Sequence, residues 1–92
     1  MDDPANDGEA AETLRRRLRF RSHHRGCREL DVLLGGFADR HLAGMDGDLL
    51  AQYAALLEVE DPVMLDWIMG RVAPPRDNRA LAMVLAFVAA AG

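Results

Sequence analysis

The chain has no lysine, one cysteine, one serine, and no apolar run long enough to cross a bilayer. Each shortage removes a class of answer. A lone cysteine, Cys27, excludes an internal disulfide framework and fits a reducing compartment. The longest apolar stretch, 80–92, is 13 residues, whereas a membrane span needs about 20. Ser22 is the only serine and has no base placed beside it, so a serine-based triad has no footing. There is no glycine-rich phosphate loop, no dinucleotide-binding fingerprint and no paired-cysteine metal site. At 92 residues the chain makes one domain with a thin core and little room for a deep substrate pocket. Catalysis by this chain alone is not the expected activity.

Half of the residues are apolar, enough for a globular fold, and the net charge is −4. That sum hides four blocks. Residues 1–12 carry five acids and no base. Residues 13–28 carry seven arginines and no acid. Residues 29–70 carry nine acids against one arginine, and residues 71–92 carry three arginines against one aspartate. All eleven basic residues are arginine, which makes planar, forked contacts that lysine cannot make. Residues 1–12 are acidic and polar where a secretory signal would be basic and then apolar. They read as a disordered tail on a cytoplasmic protein, followed by a single domain over 13–92.

Apolar spacing of three and four residues marks helices along that domain. Thr13 starts a short first helix carrying Leu14, Leu18 and Phe20, and Ser22–Gly26 breaks it. A second helix covers 27–42, with Leu30, Leu33, Leu34, Phe37 and Leu42 mainly on one face. Gly35 and Gly36 weaken it, which close packing of a neighbour would explain. Asp46 caps a third helix that buries Leu49, Leu50, Tyr53, Leu56 and Leu57. Asp61 caps a fourth, with Pro62 at its first position and Gly70 after its end; Trp67 belongs to its core side. Asp77 or Asn78 caps a fifth, with Leu81, Val84, Leu85 and Val88 inward. No stretch alternates like a strand. The expected fold is all-α, a compact bundle of about five short helices.

Three constellations could carry chemistry. His23, His24 and Cys27 are spaced for chelation, but structural zinc wants four ligands and only His41 remains, so no metal is expected. Cys27 sits among Arg25, Arg28 and two histidines, whose charge would favour a thiolate, but a small residue at a helix start is the favoured account. The run Arg15–Arg28 could attract phosphates. The acidic remainder and the single aromatic in the run, Phe20, fit an acidic protein partner at least as well as nucleic acid.

The stretch Phe20-Arg21-Ser22-His23-His24-Arg25-Gly26-Cys27-Arg28-Glu29-Leu30-Asp31, followed by Leu56-Leu57-Glu58-x-x-Asp61-Pro62, Trp67 and Pro74, resembles the succinate dehydrogenase FAD assembly factors. That family includes the bacterial SdhE proteins and mitochondrial succinate dehydrogenase assembly factor 2. The resemblance covers roughly residues 14–90. It implies a non-enzymatic chaperone that binds the flavoprotein subunit of succinate dehydrogenase, and in some bacteria that of fumarate reductase. It also implies promotion of covalent FAD attachment to that subunit, with FAD held by the partner and no cofactor held stably here. Arg25, Gly26 and Glu29 of the RGxxE motif would contact the partner, with Arg21 and Asp31 beside them. No nucleic acid, no membrane insertion and a monomer are the matching expectations. A small protein-interaction or nucleic-acid-binding module is the alternative.

Overall fold

The computed structural model describes residues 4–91, which form five α-helices and one 3-10 turn, with no strand among the described residues. In order these are α1 (Pro4–His23), α2 (Arg28–His41), the 3-10 turn Leu42–Gly44, α3 (Gly47–Leu56), α4 (Asp61–Ile68) and α5 (Arg79–Ala91). The all-α bundle read from the apolar spacing is the fold observed.

The first helix departs from expectation. It begins at Pro4, not at Thr13, so the segment read as a disordered tail is helical from Pro4 onward; residues 1–3 lie outside the described residues. Proline suits a first helical position. Glu12 and Arg16 then add a loose, exposed pair one turn apart.

The helix ends follow local chemistry. Asn78 Oδ1 accepts the Leu81 N–H at 2.9 Å and caps α5. Asp46 stands at the cap of α3 as expected, in extended backbone, although its side chain makes no capping bond. At α4 the reading shifts by one residue. Glu60 occupies the cap position and Asp61 is already helical, because the Asp61 carboxylate is bonded elsewhere, to Arg25. Gly70 ends α4 with φ +75°, a backbone state that glycine adopts without Cβ strain.

The core gathers Leu18 of α1, Leu30, Leu34 and Phe37 of α2, Leu50 and Tyr53 of α3, Met64 of α4, and Leu81 and Val84 of α5, all buried. Phe37 lies at its centre, with ring contacts to Tyr53, His41 and Phe87. Trp67 packs on this cluster only half-buried, and Phe20 leaves it altogether: it is 63% exposed and stacked on His24. The weak point anticipated at Gly35 is a close helix crossing. A Cβ at Gly35 would stand 2.5 Å from His23 Nδ1, so the α1 histidine lies directly on the α2 backbone.

One buried polar pair joins the layers. Ser22 Oγ lies 2.7 Å from the Leu18 carbonyl and 2.6 Å from Tyr53 Oη. The carbonyl can only accept, so serine spends its proton there and tyrosine donates to serine. Burial pushes the Tyr53 phenol above its ordinary pKa.

Candidate docking site

The linker 24–27 between α1 and α2 carries Arg25 and Gly26 of the RGxxE motif, whose Glu29 follows in the first turn of α2, and two opposed demands shape it. Its inner side must close against α3 and α4. Its outer side is left to solvent.

Arg25 serves the inner side. Its side chain is only 9% exposed. Nε donates to Asp61 Oδ1 at 2.8 Å, Nη1 to the Leu57 carbonyl at 2.9 Å, and Nη2 to the Val59 carbonyl. The guanidinium thus satisfies carbonyls released at the end of α3 and pairs with the carboxylate at the start of α4. This is the forked geometry that arginine alone provides. The Arg25 backbone N–H donates to Asp31 Oδ1 at 2.6 Å, which ties the linker to the first turn of α2. Arg21, one turn earlier on α1, pairs with Glu58 and reaches the Leu57 carbonyl.

The two blocks of the motif, far apart in sequence, are therefore one structure. Arg21 and Arg25 of the first block meet Glu58 and Asp61 of the second. A signal for this pairing was present in the chain. Two arginines four apart in the basic block face two acids three apart in the acidic block. Sequence reading missed it because helix order alone does not say which surfaces face each other.

Gly26 and Glu29 serve the outer side. Gly26 has φ +89°, and a Cβ placed there would meet nothing within 4 Å. Its glycine is required by the backbone, with open space above it. Glu29 lies exposed in the first turn of α2. Arg25 lies outside α2 and faces inward, so it does not share a helix face with Glu29. Of the five residues singled out for partner contact, Gly26 and Glu29 face solvent. Arg25, Arg21 and Asp31 are engaged within the chain.

The same accounting applies to the basic run. Arg15 donates to the Met45 carbonyl at 2.9 Å, and Arg19 pairs with Asp39 at 3.0 Å. Asp39 also receives His23 Nε2 at 2.9 Å. The His23 bond is the main reason the Asp39 carboxyl sits below the usual aspartate range, with Arg19 assisting. Among the described residues, Arg17 and Arg28 are the members of the run that make neither an ion pair nor a side-chain hydrogen bond. His24 Nδ1 donates to the Phe20 carbonyl at 2.8 Å while His23 faces Asp39, so the two histidines do not converge with Cys27. Among the described residues no three such groups gather to hold a metal.

A flavin dinucleotide would need free cationic donors for its diphosphate. The small polar depression formed by Arg21, His24, Arg25, Leu57 and Asp61 has its guanidinium groups already bonded to acids and carbonyls. It does not fit that ligand. Among the described residues, no helix is long and apolar enough to cross a membrane.

A family model described as the flavinator of succinate dehydrogenase, Sdh5, matches residues 16–88. The FAD assembly factor SdhE of Acetobacter pasteurianus is 41% identical over 74 residues, covering 80% of this chain and 66% of that protein. The SdhE protein of Pseudomonas aeruginosa is 43% identical over 65 residues, covering 71% and 76%. The mitochondrial succinate dehydrogenase assembly factor 2 of Dictyostelium discoideum is 33% identical over 72 residues, covering 78% of this chain and 51% of its own length. The chain thus spans from about half to three quarters of these relatives. No solved structure matches the chain. A match over most of the described helices, with both motif blocks inside it, means that the chain belongs to the Sdh5 family.

Proposed function

We propose that this protein docks on the flavoprotein subunit of succinate dehydrogenase through Gly26 and Glu29 and promotes covalent attachment of FAD to that subunit. The chemistry belongs to the partner, and FAD is the partner's cargo. The helper holds the partner in a reactive arrangement, which is a positioning effect and not a bond-making one. Family membership supports this reading, together with one observation that carries it. The linker is fastened from within by Arg25, which leaves Gly26 and Glu29 outward on a fixed backbone. Fumarate reductase as a second client, action as a cytoplasmic monomer and the absence of catalysis belong to the same reading.

Co-expression with the flavoprotein subunit, read by in-gel flavin fluorescence, tests it. Gly26→Arg and Glu29→Ala are expected to abolish or sharply reduce covalent FAD while the variant proteins remain helical by circular dichroism. Wild-type fluorescence with both variants would sink the docking role.

A further inference from the structure

We propose that Asp31 is a positioning residue for docking: it closes the turn that presents Gly26 and Glu29 to the flavoprotein, without touching the flavoprotein itself. This rests on the docking reading above and adds the residue that fixes the geometry of the contact.

The Arg25 backbone N–H donates to Asp31 Oδ1 at 2.6 Å, six positions along the chain. That bond closes a loop, and both outward residues of the motif lie inside it. A second bond runs the other way, from the Asp31 N–H to the Cys27 carbonyl at 2.8 Å. Cys27 stands at the cap of α2, but its side chain makes no capping bond. The side chain that does bond a backbone N–H at this helix start is that of Asp31, and it reaches back past Cys27 and Gly26 to do so.

The loop needs that closure. Gly26 has φ +89°, and a glycine by itself visits both signs of φ about equally. Left open, the turn at Gly26 would swing relative to Glu29, which is fixed on α2. The Arg25 side chain is held on the α3–α4 side by Asp61 and two carbonyls. On the α2 side Leu30 is buried in the core, with Cys27 packed against it. Asp31 bonds the first of these anchorages to the second through the Arg25 backbone. A partner that meets an open turn must order it on binding, which weakens affinity and leaves the bound geometry as it was.

A brace and a direct contact are separable by chemistry. Asparagine at position 31 still offers Oδ1 to the Arg25 N–H but brings no charge to a cation of the partner. Alanine offers neither.

The test uses the full chain and the purified flavoprotein subunit. Affinity is measured by calorimetry, flavin yield by in-gel fluorescence over a titration of the factor, and exchange of the Arg25 amide by NMR. Asp31→Ala is expected to bind about tenfold more weakly and to reach the wild-type flavin yield once saturating. Its Arg25 amide should lose protection while those of Leu34 and Phe37 keep theirs. Asp31→Asn is expected to bind within about threefold of wild type and to keep Arg25 protected. It carries the test alone if Asp31→Ala loses its helical circular dichroism. Wild-type affinity in Asp31→Ala overturns the role; if Gly26→Arg and Glu29→Ala still fail to bind, the docking reading stands without it. If those two also bind like wild type, the docking reading falls as well. A tenfold loss in Asp31→Asn with Arg25 still protected makes the carboxylate a direct partner contact and overturns the proposal. A flavin yield that stays low at saturation does the same, by placing Asp31 in a step after docking.

Discussion

Arg25 and Glu29 lie four residues apart in one motif and do opposite work. Arg25 is almost wholly buried, with its donors spent on Asp61 and two carbonyls. Glu29 makes no ion pair among the described residues and faces solvent. The difference teaches that a motif can be half fastening and half surface. Loss of function on changing each residue would look alike in an activity assay and have different causes.

Stability measurements separate them. The largest effect is expected for Arg25→Ala. It leaves Asp61 without its partner, strips the Val59 carbonyl of its donor and leaves the Leu57 carbonyl only the longer bond from Arg21. Breaking a pair this buried costs about 3 kcal/mol, and flavinylation should fall with the folded fraction. Urea unfolding showing less than about 0.5 kcal/mol lost would mean the clasp does not hold the linker.

Next is Ser22→Ala, beside the clasp and on the buried side of α1. It removes the acceptor for the Tyr53 hydroxyl inside the core, at a cost of about 1–3 kcal/mol. Tyr53→Phe in the same background should recover part of that loss. Additive effects in a double-mutant cycle would contradict the bond order inferred for this pair.

Glu29→Ala sits on the other side of the comparison. Its stability change is expected within about 0.5 kcal/mol, while flavinylation drops. A large shift in melting temperature for this variant would erase the contrast between the two halves of the motif.

The smallest effect concerns Asp39. Its folded pKa lies below its unfolded value because His23 and Arg19 bond the carboxylate. A depressed acid contributes stability above the unfolded pKa, and that contribution is lost as pH falls through the folded one. Acid unfolding scans below about pH 4 should therefore be shallower for Asp39→Asn than for wild type. Identical acid limbs would remove the pair from the account.

Much of the architecture was legible because helix periodicity is local. The α2 limits to within a residue at each end, a cap for α5 at Asp77 or Asn78 and the Gly70 stop follow from residues a few positions apart; the structure selects Asn78. Gly35 could be read as a close approach, though nothing in the chain named His23 as the neighbour. The start of α1 was misread because low apolar content was taken to mean no structure, whereas an acidic, alanine-containing stretch can extend a helix already anchored by Leu14 and Leu18. The Asp61 cap was misread because a carboxylate that normally caps its own helix was claimed by an arginine 36 positions earlier.

By itself the sequence determined the helical class, the order of the helices and the family, since these rest on periodicity, end signals and motif spacing, all short-range properties of the chain. Only the tertiary structure decided which side of the RGxxE motif is outward. That choice depends on where the loop between α3 and α4 comes to rest, and on a guanidinium finding there the carbonyls and the carboxylate that would otherwise be unpaired.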